Sequence, residues 1–342
     1  MKIFNMNLTL LGGGKLFVNV LLFTIANNSI KKINLLISKR HGNEFYFEKE
    51  TVASKIYEII KLNSTKQINF HILDTLDFEV FKNSVKETDL QLSFSAPWIY
   101  KEKHINICSN LIQLHCTTLP EFRGGGNTSW RILSGINYSS VVLFKVNPGI
   151  DTGDIVFYKK FFFPKDCYKP IDSESYTDQI AFESIIKFID SFIVEGSVPK
   201  GRVQQNEFSS YFPRLNTTIH GFINWSWDAY EITKFITAFD DPYKGALTRL
   251  TNYGEKLHLK SATFLEEYAN FHPFQQGIIF RKDENGIYIC AKKGALKISE
   301  VINENGKNIN DEIILGERFF NDYEDLANAL STRIKYDSKG IK

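Results

Sequence analysis

Five short apolar runs follow one another through the first third of the chain. They occupy residues 2–11, 32–40, 67–73, 90–96 and 111–116. Each run has the length and the bounding turn residues of a buried strand. Residues 15–27 and 49–62, which lie between these runs, have the length or the apolar spacing of helices. Strands that alternate with helices predict an α/β fold with a mostly parallel sheet.

The predicted strands end in residues that suit a binding site. Gly12 to Gly14 follow the first run, Ser95 to Trp98 follow the fourth, and His115 ends the fifth. Because ligands bind at the carboxyl ends of parallel strands, we expect these three loops to converge at one edge of the sheet.

The middle of the chain predicts a different arrangement. Runs at residues 139–147 and 154–163 are joined by a short Gly-rich turn, which favours an antiparallel pair. Ser173 to Glu195 predicts one long amphipathic helix, and the polar residues 198–215 predict a linker. We therefore place a domain boundary there, with a catalytic domain over residues 1–205 and a second domain over residues 206–342.

The second domain has the pattern of a small, mostly β unit. Asp228 and Glu231 have capping-box spacing at the start of an amphipathic helix. Short alternating strands follow from residue 245 to residue 302, and they predict a barrel or a sandwich.

Composition excludes several classes of protein. A hydrophobic fraction of 43% with 23% charged residues is typical of a soluble globular chain, and a net charge of +2 does not favour a polyanionic partner. Four cysteines without C-x-x-C spacing favour a reducing compartment over a disulfide framework or a zinc site. The sequence predicts no membrane span and no signal-peptide cleavage pattern, so we predict a cytoplasmic protein.

The central stretch carries the candidate chemistry. Gln113 and His115 are two residues apart on a predicted strand and share one face, so an amide and an imidazole point into the same space. A histidine can take up a proton near neutral pH, and an amide N–H can stabilise an oxyanion. Asp151, in a turn between Gly149 and Gly153, is the candidate carboxylate for orienting the imidazole. No motif in the chain signals a metal.

The segment QLHCTTLPEFRGGGNTSW, followed by GIDTGDI, resembles the formyltransferases that use 10-formyltetrahydrofolate. The family motif is matched at His115, Leu119, Pro120, Arg123, Gly124, Asp151 and Gly153. Residues 222–246 are similar to the segment that opens the C-terminal domain of methionyl-tRNA and sugar formyltransferases. The resemblance implies a Rossmann-like N-terminal domain and a smaller OB-like C-terminal domain, with His115 and Asp151 as catalytic residues. The chain departs from the family at Gln113, where the family has asparagine.

The resemblance also implies where the two substrates bind. 10-Formyltetrahydrofolate, the cosubstrate, is expected against two loops that contain Phe94, Ser95, Ala96, Trp98, Val146, Asn147, Ile150 and Asp154. The acceptor is expected near Gly13, Lys15, Arg123, Gly124, Gly125, Gly126 and Asn127. Two interpretations stay open for Trp98 (pterin contact or core residue) and for Arg123 (phosphate contact or structural ion pair).

The second domain bears on the acceptor. Residues 206–342 contain 17 Lys and Arg against 19 Asp and Glu, whereas tRNA binding favours a basic face. The resemblance is greatest to sugar N-formyltransferases, which implies a nucleotide-linked amino sugar as acceptor, a role in surface or lipopolysaccharide synthesis, and a homodimer. The alternatives are a methionyl-tRNA formyltransferase, a hydrolase of formyl-folate, and a ligand-binding protein that has lost catalysis through Gln113.

Overall fold

The computed structural model describes residues 5–47, 49–63, 65–251, 253–268, 271–337 and 340–341. Elements of the N-terminal half, in chain order, are β1 (Met6–Gly12), α1 (Gly14–Ala26), β2 (Ile30–Ser38), α2 (Lys39–Gly42), β3 (Phe45–Phe47), β4 (Glu50–Thr51), α3 (Val52–Leu62), β5 (Gln67–Leu73), α4 (Phe78–Val85), β6 (Leu90–Phe94), α5 (Glu102–Ile105), β7 (Leu111–His115), β8 (Arg123–Gly124), α6 (Asn127–Leu133), β9 (Tyr138–Lys145), β10 (Ile155–Phe162) and α7 (Pro170–Glu195).

The main sheet has seven strands in the order β10-β9-β7-β6-β1-β2-β5. The five strands from β7 to β5 are parallel to one another. Strand β9 is antiparallel to β7, and β10 is antiparallel to β9. The α/β prediction is confirmed, and so are the five N-terminal strands and the antiparallel return. Met1 to Phe4, part of the first predicted strand, lie outside the described residues.

One hydrophobic cluster joins this sheet to its helices. Apolar side chains of the central strands pack with those of α1, α3 and α7. Phe17 of α1, for example, meets Phe94 of β6 edge to face with ring centroids 6.2 Å apart, and both are almost fully buried. The strands are therefore apolar runs rather than alternating ones, as expected for a sheet that helices cover.

The carboxyl ends of β1, β6 and β7 are neighbours, so the three predicted loops do converge. Gly12 shows how close they are. Its φ is 128°, and a Cβ at this position would lie 1.8 Å from the carbonyl oxygen of Phe94. Only glycine fits there, because the position combines a positive φ with direct contact between two backbones.

The C-terminal half contains β11 (Tyr211–Phe212), α8 (Thr217–His220), α9 (Ala229–Ala238), β12 (Ala246–Leu250), β13 (Leu257–Leu265), β14 (Ile279–Asp283), β15 (Gly286–Ala291), β16 (Gly294–Ile302), β17 (Phe319–Phe320), α10 (Tyr323–Ser331), β18 (Tyr336–Asp337) and β19 (Gly340–Ile341), with short 3₁₀ helices at Asn206–Phe208, Pro273–Gln275 and Asn310–Glu312. Asp228 caps α9 by accepting from the backbone N–H of Glu231 at 3.0 Å, as its spacing predicted.

Six strands of this half form an antiparallel sheet in the order β14-β15-β16-β13-β12-β17. Its two edges meet, because Ile278 and Arg318 form an antiparallel bridge. Backbone bonds of 2.9 Å from Ile279 to Glu317 and from Phe319 to Gly277 continue the contact. The sheet is thus closed into a barrel, which agrees with the predicted β domain.

The segment predicted as a linker is bonded to the first half. Arg202 exchanges two backbone hydrogen bonds of 2.8 and 2.9 Å with Ile155, at the start of β10. Further along, β11 pairs in parallel with β8. Residues 202–212 are polar in composition, yet their backbone pairs with the start of β10 and with β8.

Helices also connect the two halves. Ser129 of α6 donates to the carbonyl oxygen of Ala238 in α9 at 2.8 Å, and Ile132 joins the hydrophobic cluster of the barrel. Lys169, just before α7, forms an ion pair with Asp240 at 3.1 Å. Among the described residues, no helix has both the length and the apolar character needed to cross a membrane.

Candidate functional site

His115 ends β7 with its ring buried (7% of the residue is exposed). Its Nε2 lies 2.7 Å from the carbonyl oxygen of Phe122 and 2.7 Å from Oγ1 of Thr117. The side-chain amide of Asn127 is 3.3 Å from the same nitrogen. Because a carbonyl oxygen can only accept, Nε2 carries the proton of the neutral ring, and Nδ1 is the nitrogen that can take up a proton.

Asp151 stands on the other side of the imidazole. Its Oδ2 lies 3.8 Å from Nδ1 of His115, which is beyond direct hydrogen-bond distance, and the same oxygen accepts the backbone N–H of Gly124 at 2.9 Å. The φ angle of Asp151 is 53°, in the left-handed region that non-glycine residues rarely occupy. A carboxylate placed there stabilises a proton that arrives at Nδ1.

A small cavity of about 80 Å³ opens beside Asp151. Four of the predicted folate contacts line it, namely Trp98, Val146, Asn147 and Ile150, together with Gln113, Asp151 and others. Trp98 also packs in a hydrophobic cluster, so the structure supports both interpretations of this residue. The buried Nε1 of Trp98 has no hydrogen-bond partner in the described part of the chain.

Gln113 points toward this cavity from the middle of β7. The strand keeps continuous pairing on both sides, with Gln113 opposite Ser93 of β6 and Phe144 of β9. The backbone is therefore regular at this position. The amide of Gln113 extends one methylene farther into the cavity than an asparagine amide on the same backbone.

A larger cavity of about 510 Å³ lies on the Nε2 side of His115. Thr117 and Asn127, which both contact that nitrogen, are part of its lining. Three residues predicted for ligand contact, Ser95, Gly126 and Asn127, line it as well. His115 is not itself described as lining either cavity. It lies behind Asp151 of one wall and behind Thr117 and Asn127 of the other.

The far wall of the larger cavity carries charged and polar groups, namely Glu174, Asp178, Arg214 and Tyr243. Desolvation by the surrounding wall raises the pKa of Asp178 from 3.8 to about 6, although Lys15 opposes the shift. Desolvation likewise raises the pKa of Glu174 and lowers that of Arg214. Water still reaches both carboxylates through the open cavity, since each residue is exposed.

The remaining predicted contacts lie near the cavities without being among their lining residues. Phe94 is part of the core, and Ala96 packs beside Trp98. Gly13 packs against His41, and the ideal Cβ position of Gly125 is 3.2 Å from Cβ of Arg214. Lys15, Gly124 and Asp154 are likewise absent from both linings as described, although Lys15 acts electrostatically on Asp178 and Gly124 bonds to Asp151.

Arg123 faces away from both cavities as described. Its guanidinium is buried (8% of the residue is exposed) and donates to the side-chain oxygens of Gln204 at 2.8 Å and Asn206 at 3.0 Å. The structure therefore supports a structural role, with neutral partners in place of an ion pair, and does not support the expected phosphate contact.

Sequence patterns did not single out five residues near the site, namely Glu174, Asp178, Gln204, Arg214 and Tyr243. Glu174 and Asp178 are spaced i, i+4 on α7, so one face of the predicted helix already carried a signal. Gln204 had none, since it lies in a polar segment. Within the described residues, no group of three or more His, Cys, Asp or Glu could hold a metal ion.

Comparisons with solved structures show what the fold resembles. WlaRD, a sugar 3N-formyl transferase solved in the presence of dTDP and 5-N-formyl-THF, superposes with a TM-score of 0.64 at 20% identity, over 88% of this chain and 98% of that one. The N-formyltransferase of Helicobacter canadensis, solved with folinic acid and dTDP-3-aminofucose, superposes with a TM-score of 0.64 at 20% identity, over 86% of this chain and 99% of that one. Likeness at this level of identity establishes a shared fold.

Sequence comparisons add the family. Residues 217–317 match the family described as "Formyl transferase, C-terminal domain". The methionyl-tRNA formyltransferase of Agathobacter rectalis is 25% identical over 194 residues, which are 56% of this chain and 58% of the relative. The chain spans about three fifths of the length of the curated relatives it matches. The chain therefore contains a formyl transferase C-terminal domain over residues 217–317, and the motif around His115 and Asp151 is brought together in the shared fold.

Proposed function

We propose that the protein transfers a formyl group from 10-formyltetrahydrofolate to the amino group of a nucleotide-linked sugar. The observation that carries this proposal is the position of His115 behind the walls of two cavities, beside the carboxylate of Asp151. One cavity suits the formyl donor and the other the amine. A group that handles protons between them suits a transfer that needs both substrates at once.

The small cavity suits the head group of a folate. Its wall combines apolar side chains with the amide of Gln113, which can donate a hydrogen bond. Its volume of about 80 Å³ is a fraction of a whole folate, so the tail would extend past the exposed Ile150 into solvent. When bound, this cosubstrate supplies an activated formyl carbon.

Three side chains then have separate roles. His115 takes at Nδ1 the proton that the amine loses where it meets the formyl carbon beside Asp151, and Asp151 stabilises the charged ring. Gln113 donates its amide N–H to the formyl oxygen as negative charge develops there. The new bond joins the amine nitrogen to the formyl carbon, the bond from that carbon to the folate nitrogen breaks, and the proton passes to that nitrogen.

The larger cavity supports a small acceptor with both signs of charge. Arg214 and Lys15 lie near it as cations, and Glu174 and Asp178 supply carboxylates. A nucleotide-linked amino sugar has phosphates and an ammonium group that match this mixed wall. We include in the proposal the role in surface polysaccharide synthesis and the homodimer, which the resemblance implies. We also include the cytoplasmic location, which the cysteine pattern and the predicted lack of a membrane span and a cleavage pattern favour.

The names of the curated relatives favour a second acceptor, methionyl-tRNA. A tRNA needs a basic surface, and residues 206–342 carry 17 Lys and Arg against 19 Asp and Glu. The sugar acceptor is therefore the stronger of the two candidates.

Incubation with 10-formyltetrahydrofolate and a panel of dTDP- and UDP-linked amino sugars tests the proposal. Amine-dependent release of tetrahydrofolate, with a formylated sugar as product, is expected. Release without any amine would indicate a hydrolase, formylation of methionyl-tRNA alone would establish the second candidate, and folate binding without release would indicate a binding protein.

Replacing the histidine tests its role in the same assay. His115→Asn is expected to reduce turnover by at least about a hundredfold, the scale of a general base. His71→Asn, which removes an exposed imidazole on β5, is the matched control and is expected to behave like the wild type. Turnover near normal in His115→Asn would remove this residue from the mechanism.

A further inference from the structure

Gln204 occupies a buried position between two motifs of the site, with 6% of the residue exposed. Its Nε2 donates to the backbone carbonyl oxygens of Asp151 at 2.9 Å and Gly153 at 2.8 Å. Its Oε1 accepts from Nε and Nη2 of Arg123 at 3.2 and 2.8 Å. The two N–H donors and both lone pairs of this amide are therefore in use.

The Asp151 turn needs such support. A non-glycine residue with a φ of 53° is strained, and strain of this kind persists only where several contacts over-determine the backbone. Gln204 holds the backbone carbonyl of Asp151, and Gly124 holds its carboxylate. The turn is also closely packed, because a Cβ on Gly153 would lie 1.6 Å from the carbonyl oxygen of Lys145.

Arg123 fixes the direction of the Gln204 amide. A guanidinium can only donate, so it requires the amide oxygen on its own side and leaves the amide N–H groups facing the Asp151 turn. Arg123 is itself anchored, since its backbone N–H donates to Ser210 at 3.0 Å and its Nη2 to Asn206 at 3.0 Å. Hydrogen bonds to a charged donor are stronger than neutral ones.

We infer that Gln204 is a positioning residue, which sets the Asp151 turn and thereby the distance from the Asp151 carboxylate to His115. The Gln204 amide is fully engaged by Asp151, Gly153 and Arg123, so it acts through Asp151 and without contact to substrate. The inference rests on the proposed function, in which His115 and Asp151 are catalytic.

Gln204→Glu separates positioning from packing. The variant has nearly the same shape and keeps an oxygen for Arg123, but its second oxygen faces the two carbonyl oxygens of Asp151 and Gly153. A misplacement of about 1 Å can cost a hundredfold in rate, so kcat is expected to fall by about ten- to a hundredfold. The KM for the acceptor is expected to stay within about threefold, since this role concerns the reacting groups. An unchanged kcat would overturn the inference.

Gln205→Glu is the matched control. It adds the same charge one residue away on an exposed side chain, and its kcat is expected to stay within about twofold of the wild type. Gln204→Met, which keeps the length without any hydrogen bond, provides a second variant where Gln204→Glu folds poorly. Thermal unfolding of each variant reports whether it is folded.

A double-mutant cycle with Asp151→Asn tests whether Gln204 acts through the aspartate. If Gln204 acts through Asp151, adding Gln204→Glu to the Asp151→Asn variant is expected to change the residual kcat by less than about twofold. The carboxylate charge that Gln204 positions is already absent from that variant. An equal loss in both backgrounds would assign Gln204 an independent structural role and overturn the inference.

Crystal structures of the wild type and Gln204→Glu separate this inference from the proposed function. The variant is expected to lose the 2.9 Å bond between Gly124 and Asp151 or to move the Asp151 carboxylate away from His115. An unmoved turn would overturn the positioning role even where transfer is observed. Absence of transfer in the wild type would instead overturn the proposed function, and the two structures would still decide the role of Gln204.

Discussion

The backbone N–H of Gly124 donates to Oδ2 of Asp151 over 2.9 Å, and this bond joins the glycine triplet to the aspartate turn. The two residues are 27 positions apart and belong to the two halves of the family motif. A glycine is required after Arg123 for a separate reason, namely its backbone conformation and the lack of space for a side chain. The φ of Gly124 is 98°, and a Cβ there would lie 2.2 Å from the carbonyl oxygen of Phe212 in β11.

Gly124→Ala is therefore expected to lower the free energy of unfolding by about 2 to 4 kcal/mol, through backbone strain and overpacking together. Turnover is expected to fall by at least about tenfold, because the N–H that holds Asp151 has to move. Urea unfolding and initial rates measure the two effects. Gly254→Ala is the control, since no atom lies within 4 Å of its Cβ position. Equal behaviour of the two variants would contradict the close contact with β11.

Gln113 gives a prediction that tests whether the departure from the family is a loss of function. Gln113→Ala removes the amide donor and is expected to reduce kcat by about a hundred- to a thousandfold. Gln113→Asn keeps an amide donor on a shorter side chain, and its kcat is expected to lie between those of the wild type and Gln113→Ala. A Gln113→Asn variant more than tenfold faster than the wild type would show that glutamine is a lesion at this position.

Asp178 is expected to contribute to acceptor binding. Asp178→Asn removes one negative charge from the larger cavity and is expected to raise the KM for the amino sugar by about fivefold, equivalent to about 1 kcal/mol for a charge pair that water partly screens. The KM for the formyl donor is expected to be unchanged, because the donor is assigned to the other cavity. Asp190→Asn, on the exposed face of the same helix, is the control. An unchanged acceptor KM would remove Asp178 from the acceptor site.

His41 predicts a pH dependence of stability. Burial, the largest cause, lowers the pKa of His41 from 6.5 to about 4 in the folded protein, and Arg40 adds to the shift. Between these values the unfolded chain binds the additional proton, so the His41 contribution to stability is complete above pH 6.5 and is lost as the pH falls toward 4. The loss amounts to about 3 kcal/mol.

Comparison of the wild type with His41→Gln isolates this contribution. The raised pKa of Asp178 acts in the opposite direction over about pH 6 to 4, since that carboxyl binds its proton more readily in the folded state. Both proteins share that effect, so the difference between their urea unfolding curves reports His41. A wild type and a variant that lose stability in parallel below pH 6.5 would contradict the assignment.

The sequence was most informative where burial dictates the pattern. The run at residues 67–73 coincides with β5, and the run at 111–116 exceeds β7 by one residue. The long helix begins at Pro170, three residues before the predicted start. Short amphipathic helices such as α4 and α10 were not predicted, because about two turns with few apolar positions give little periodic signal.

The candidate site also contains residues that the sequence indicated and residues that it did not. His115 and Asp151 could be proposed because both match the motif of the resemblance, His115 at the end of a predicted strand and Asp151 in a turn between two glycines. Their partners could not, since Gln204 is 53 residues from Asp151 and 81 from Arg123 along the chain. A side-chain amide at such separations has no local signature. It acquires its role only when the chain returns after α7 and passes beside the aspartate turn.

The pairing of β11 with β8 has a consequence for recombination between relatives. The change in composition near residue 206 suggests this position as a crossover point for chimeras that exchange the C-terminal domain. A chimera joined there would receive foreign versions of Asn206 and of the strand that covers Gly124. A crossover placed after Phe212 keeps these partners with the catalytic motif, and the parent of the C-terminal module then supplies Arg214 and Tyr243 to the wall of the larger cavity.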